Sequence, residues 1–328
     1  MRLGIFCTLD HYPEAGLQAG EVLRRALDEA CHAEAAGLES FWVTEHHFST
    51  YGACPDPAVL LAQVAARTTR LRLGTATAVL PLDHPLRTAE RYALLDQLSG
   101  GRLEFGVGSG YLAHEFAGFG VDPSMKRKGF DEALAIIREA WGGGPVQYDG
   151  DCFHVDTPAL NVRPVQVGGP PVHVGLTRPL GAPFVGRQGV GLATVPYISL
   201  GSLDELAAMI AEYRAALPAG VPGEVTVAMH AFCGETPQDP EFALAEAALD
   251  RYLRTRVVPG ANYSGRPIAR DFVLFGPPDL LAARLRQLAA IGVDRLLLLT
   301  AFGGLPPNTV AGSVARWARL GEAADRLP

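Results

Sequence analysis

Short apolar runs alternate with amphipathic runs of helical period almost from one end of this 328-residue chain to the other, and that alternation is the strongest constraint on its fold. Strand-like segments fall at residues 3–7, 40–43, 71–79, 103–107, 172–175, 192–195, 224–232 and 294–299. Helical segments follow them at 21–36, 57–68, 85–98, 129–141, up to about 188, 203–217, 241–254 and 308–324. The first helix gathers Leu23, Leu27, Ala30 and Cys31 on one face; the second gathers Val59, Leu60, Gln63 and Val64. Local signals set the boundaries: Gly37 stops a helix, Asp56-Pro57 reads as an N-cap with proline at the first helical position, Pro85 opens a helix, and Gly100-Gly101 turns the chain. Strand–helix repetition implies parallel strands joined by helical crossovers. Eight units in this length favour a closed (β/α)8 TIM barrel, an α/β fold in one domain over residues 1–328. A doubly wound sheet is the alternative. Two additions interrupt the repeat. Residues 146–155 have a hairpin pattern with Asp149-Gly150 in the turn, and 279–291 form an extra helix after an irregular stretch at 257–271.

Composition removes several function classes. The formal charge is −7, and the only tight basic cluster, Lys126-Arg127-Lys128, reads as a solvated helix start, so no nucleic-acid partner is expected. The chain is 48% hydrophobic, yet no apolar run reaches the ~18 residues a membrane span needs. The first residues enter a strand directly, so no secretory leader is expected. The five cysteines are odd in number, far apart and without a C-x-x-C pair, which argues against a disulfide framework or a structural metal and fits a cytoplasmic location.

Chemistry in a strand–helix barrel gathers at the C-terminal ends of the strands. Glu45-His46-His47-Phe48 stands just past the second strand. Taken alone, two adjacent histidines there are as readily structural as functional. Gly106-x-Gly108-x-Gly110 ends the fourth strand and allows close backbone approach to a ligand; the acidic residue a Rossmann site needs on the next strand is absent. Gly175-Leu176-Thr177-Arg178 follows the fifth strand and offers backbone N–H groups, a hydroxyl and a guanidinium, the donors a phosphate requires. Arg178 as a solvated helix-start residue is the plainer reading.

In order and spacing these motifs resemble the luciferase-like flavin-dependent monooxygenases, over nearly the whole chain. The resemblance also rests on Leu73-Gly74-Thr75-Ala76, Val79-Leu80-Pro81, His84-Pro85-Leu86-Arg87, residues 95–102, Gly292-Val293-Asp294 and residues 302–306. It implies a site for FMN, reduced by a separate flavin reductase, that works with O2 on a small organic substrate. It implies that His46 manages protons during oxygen transfer with Glu45 orienting it, and that the Ala76–Thr77 peptide is cis beneath the flavin. Thr75, Ala76, Thr77, Gly108 and Ser109 would then approach the ring. Gly175, Leu176, Thr177, Arg178, Gly181 and Ala182 would hold the phosphate. Tyr111, Tyr197 and Phe302 would line the substrate mouth, and pairing through the second and third helices would give a homodimer. Light-emitting members carry cysteine and arginine where this chain has Gly108 and Ser109, and the 257–271 stretch is shorter than their lid. The resemblance therefore points to a monooxygenase other than a luciferase. Alternatives are a deazaflavin-dependent hydride-transfer enzyme of the same fold, a non-catalytic flavin-binding accessory subunit, and a metal hydrolase using His46, His47 and a distant acid.

Overall fold

A computed structural model describes residues 1–256 and 270–324. In chain order the strands are β1 (Arg2–Cys7), β2 (Ser40–Val43), β3 (Arg72–Thr75), β4 (Ala78–Val79), β5 (Leu103–Gly108), β6 (Val146–Asp149), β7 (His154–Thr157), β8 (Val172–Leu176), β9 (Gly191–Thr194), β10 (Val225–Cys233), β11 (Val273–Gly276) and β12 (Arg295–Leu299). The helices are α1 (Ala19–Ala36), α2 (Pro57–Ala65), α3 (Pro85–Ser99), α4 (Ala113–Phe119), α5 (Lys126–Gly142), α6 (Ala182–Arg187), α7 (Leu203–Ala215), α8 (Glu241–Thr255), α9 (Pro278–Ala290) and α10 (Pro307–Ala324). Parallel pairing runs β1–β2–β3–β5–β8–β9–β10–β12 and returns to β1. The eight-stranded barrel is therefore closed, with the helices around it.

The predicted local signals act as expected at several ends. Asp56 caps α2 by accepting from the N–H groups of Ala58 and Val59, and Gly37 and Gly100 end α1 and α3 in left-handed geometry. Helix faces differ in detail. In α1 the buried side is Val22, Ala26, Leu27, Ala30 and Ala33, with Glu29 among them, and in α2 Val59 is exposed while Leu61 is buried. The segment expected as one strand at 71–79 is split into β3 and β4 by a cis peptide between Ala76 and Thr77. The hairpin is present, but Asp149 pairs with His154, so its loop has four residues and Asp149 belongs to the strand. One helix and one strand escaped the pattern reading, α4 and β11, and α5 begins at Lys126, at the basic cluster read as a helix start. Of the irregular stretch expected at 257–271, residues 257–269 lie outside the described residues.

The N-terminal end of the barrel is plugged by charge. Arg295 is fully buried, with Nε 3.1 Å from Glu39, Nη1 3.1 Å from Glu224 and Nη2 3.3 Å from Glu104. Glu104 also meets Arg72 and, at 2.7 Å, Nε2 of His173. Burial pushes the Glu104 carboxyl up, but His173 and Arg295, with Arg72, outweigh it and hold it down at about 2. Above this layer Trp42 fills the barrel's middle, its ring edge-on to His173 at 5.2 Å and 5.2 Å from the Arg295 guanidinium. Gly74 makes room for it: a Cβ there would lie 2.0 Å from the Trp42 ring. Plug and tryptophan fill the barrel from below, and a cavity opens toward the strands' C-terminal ends.

Candidate active site

A cavity of about 590 Å3 opens at that end, within the usual range for small-molecule and cofactor sites. Every barrel strand or the loop directly after it contributes to the wall. Phe6, Trp42, Ala193, Ala228 and Leu297 form an apolar base, and the polar residues follow the strand ends above it.

His46 reaches this cavity from the loop after β2 and is only 9% exposed. Its Nδ1 lies 3.2 Å from Oε1 of Glu115, which also accepts from the backbone N–H of His47 at 2.9 Å. Burial pushes the Glu115 carboxyl up, but the hydrogen bond and charge of His46, with His47, outweigh it, so the carboxyl is held below its ordinary value. An ionised carboxylate only accepts. Nδ1 of His46 must then carry a proton, and Nε2 is the nitrogen left to take up or give one. Sequence reasoning assigned this orienting role to Glu45, and the geometry corrects it. Glu45 faces the cavity, but its carboxylate contacts Nε2 of His47 at 3.1 Å and the N–H of Val79 at 3.2 Å. Burial pushes the His47 imidazole down, and Glu45 more than offsets this, raising it.

Ala76, Thr77, Gly108, Ser109, Gly175, Leu176, Thr177, Arg178 and Gly181 all line the same cavity. Gly108 and Gly175 let Thr77 settle between β5 and β8, since a Cβ at either position would come within 2.4 or 2.7 Å of the Thr77 side chain. Two expected cofactor residues are misplaced. Thr75 is fully buried and donates to the Gly106 carbonyl at 2.6 Å, tying β3 to β5 instead of facing the cavity. Ala182 is fully buried at the start of α6. In exchange, Lys126 and Arg127 join the wall. The Arg127 guanidinium lies 3.6 Å over the Phe184 ring and 3.0 Å from Asp131. The basic cluster read as a solvated helix start thus supplies two cations to the same cavity wall as Thr177 and Arg178. Three cations with the hydroxyls of Ser109 and Thr177 are a donor set that fits a phosphate, and the apolar, small-residue stretch from Ala76 to Gly108 fits a flat ring.

The remaining wall is aromatic. Tyr111 and Tyr197 line it as expected, joined by Tyr51 and Tyr252, which sequence reasoning missed. Phe302 does not line it. Gly303, at φ +58°, lies against the Ala248 backbone, and Phe302 is turned inward, 1% exposed, with its ring 5.0 Å from His230 and 5.9 Å from Phe275. Among the described residues no three or more His, Cys, Asp or Glu side chains are grouped to hold a metal ion, and no helix is long and apolar enough to cross a membrane.

Barrel, cavity and strand-end residues together define a TIM-barrel ligand site. Residues 1–295 match the luciferase-like monooxygenase family, and the chain belongs to it. It is 39% identical over 202 residues to an uncharacterised protein of Sinorhizobium fredii, y4wF, covering 61% of this chain and 58% of that one. It is 36% identical over 197 residues to the 4-hydroxyprotoasukamycin monooxygenase of Streptomyces nodosus subsp. asukaensis, covering 59% and 53%. The chain thus spans about half the length of the curated relatives it matches. Monooxygenase RslO1 of Streptomyces bottropensis superposes with a TM-score of 0.87 at 27% identity, covering 97% of this chain and 98% of that one. The FMN-bound oxygenating constituent of 3,6-diketocamphane monooxygenase from Pseudomonas putida superposes at 0.85 with 20% identity, covering 100% and 99%, a likeness of fold alone.

Proposed function

We propose that this chain is a flavin-dependent monooxygenase that takes reduced FMN from a separate reductase and, with O2, oxidises a small organic substrate. One observation carries the reading: a single cavity joins a cationic, hydroxyl-lined end to a buried imidazole whose proton is fixed by a carboxylate. Lys126, Arg127, Arg178, Thr177 and Ser109 would hold the phosphate; Ala76, Thr77, Gly108 and Gly175 would face the ring. Reduced FMN would supply the oxygen activation that no side chain can. Within the protein, His46 accepts a proton at Nε2 and returns it, and Glu115 stabilises the charged form of the ring, a role that typically contributes ~100- to 10,000-fold in rate. All five cysteines are free, which supports a reducing, cytoplasmic setting. Val59 on α2 and Leu94 and Leu98 on α3 are at least half exposed, which supports a homodimer through those helices.

The test is competitive binding of FMN and coenzyme F420, followed by mixing the protein with photoreduced FMN and air. Micromolar FMN binding, with reoxidation slower than that of free reduced FMN, is the expected result. Binding of F420 in preference to FMN would overturn the reading in favour of hydride transfer.

A further inference from the structure

The aromatic wall holds more polar order than a cofactor site needs. Tyr111 donates to the Tyr51 hydroxyl at 3.2 Å. Tyr252 and Tyr197 line the same cavity, so four phenols from four separate loops and helices stand along one wall. One end packs on the proposed proton carrier, the Tyr51 ring lying 4.3 Å from that of His46. The other end rests on His230, whose ring lies 5.1 Å from Tyr197 and 5.0 Å from Tyr252. His230 is fully exposed to neither water nor partner: it is 0% exposed, and neither ring nitrogen has a hydrogen-bond partner. Burial pushes that imidazole down to about 3, so it adds bulk and no charge.

A phenol has one proton to give and two lone pairs to receive. Tyr51 receives from Tyr111, a contact that eases its ionisation; burial outweighs it and keeps it a neutral phenol. That bond uses the Tyr111 proton, so the proton of Tyr51 itself is left to offer into the cavity. The carboxylates Asp10 and Glu115 act on the Tyr51 hydroxyl, and their fields oppose a second negative charge. The cations of the cavity, Lys126, Arg127 and Arg178, belong to the phosphate end. Flat aromatic faces favour a ring over a flexible chain, because a ring loses less freedom on being held.

Resting on the monooxygenase reading of this cavity, we propose that Tyr51, Tyr111, Tyr197 and Tyr252 are its specificity wall and that it selects a neutral cyclic carbonyl compound, whose oxygen accepts from Tyr51. Carboxylates of the same shape are rejected by Glu115 and Asp10, and plain hydrocarbons leave the Tyr51 proton without an acceptor.

The experiment is calorimetric titration of the full chain, with and without oxidised FMN, using three probes of one shape: 1-tetralone, tetralin and 1,2,3,4-tetrahydronaphthalene-1-carboxylate. Tetralone is expected to bind about tenfold tighter than tetralin, the worth of one buried hydrogen bond with its unsatisfied donor, and tighter still than the carboxylate. Tyr51→Phe keeps the ring and its packing on His46, and it should abolish the preference for tetralone while leaving FMN affinity unchanged. Tyr111→Phe, which removes the phenol that orients the Tyr51 hydroxyl, should narrow the preference and gives a second route should the first variant misfold. No preference for the ketone, a preference for the carboxylate, or an unchanged ratio in Tyr51→Phe overturns the proposal. Failure of FMN to bind at all, with the ketone preference intact, would instead sink the flavin reading and leave the wall standing.

Discussion

Replacing Glu115 tests the site at the contact on which its proposed chemistry depends. Oε1 of Glu115 receives both Nδ1 of His46 and the His47 N–H, at 3.2 and 2.9 Å. Glu115→Gln keeps the shape and an oxygen able to accept from both, but it removes the charge that stabilises a protonated ring. Glu115→Ala removes the acceptor as well and frees the tautomer. A hydrogen bond to a charged group contributes about 1.5–3 kcal/mol, so a step that needs the charged imidazole should slow roughly 10- to 150-fold in Glu115→Gln. Glu115→Ala should lose at least as much. The assay has two readouts. One is the single-turnover reoxidation of protein-bound reduced FMN together with the peroxide it releases, since a lost proton carrier uncouples oxygen from substrate. The other is the nitrogen-15 spectrum of histidine-labelled protein, which a merely structural effect on folding would not shift in this way. The wild type and Glu115→Gln should show Nδ1-protonated His46, and Glu115→Ala a mixture. An Nε2-protonated ring in the wild type, or unchanged coupling in Glu115→Ala, would refute the reasoning.

Three further outcomes follow from the same structure. Glu29 is buried in α1, accepts from Thr300 at 2.6 Å, and is pushed by burial from 4.5 to about 7. Its folded value lies above its unfolded one, so its contribution to stability is present below about pH 4.5 and is lost as the pH rises through 7, about 3 kcal/mol in all; Glu29→Gln should therefore melt higher than wild type at pH 8 and close to it at pH 4. Arg178→Ala and the pair Lys126→Ala with Arg127→Ala should each weaken FMN at least about tenfold and riboflavin little, seen in flavin fluorescence titrations, because they remove charge-assisted phosphate contacts. Gly74→Ala would drive a methyl into the Trp42 ring at 2.0 Å, and thermal melts should show a loss of at least about 1–3 kcal/mol, the usual cost of overpacking.

The barrel was legible because its signals are local. Helix stops at Gly37 and Gly100, the Asp56 cap and the apolar strand cores each act within a few residues of themselves. The small-residue strand ends were legible for the same reason, since Gly108, Gly175 and the Ala76–Thr77 step mark close backbone approach wherever the chain goes next. Glu115 was not. It sits in a seven-residue helix too short to show a period, and it meets His46 across 69 residues of chain. Lys126 and Arg127 announced charge but not direction; only the placement of α5 beside the mouth turns them inward. The buried plug of Glu39, Glu104, Glu224 and Arg295 was equally hidden, because each stands near the start of a different strand and looks solvated until barrel closure brings the four together. Phe302 erred the other way. Its motif suggested the mouth, yet the tight approach of Gly303 to α8 turns the ring into the core.

A crystal structure of the protein soaked with FMN bears most directly on the whole account. The phosphate should rest among Thr177, Arg178 and Arg127, with the ring against Ala76–Thr77 and Nε2 of His46 facing its reactive edge. Flavin density outside this cavity, or a ring turned so that His46 contacts only the ribityl chain, would contradict it.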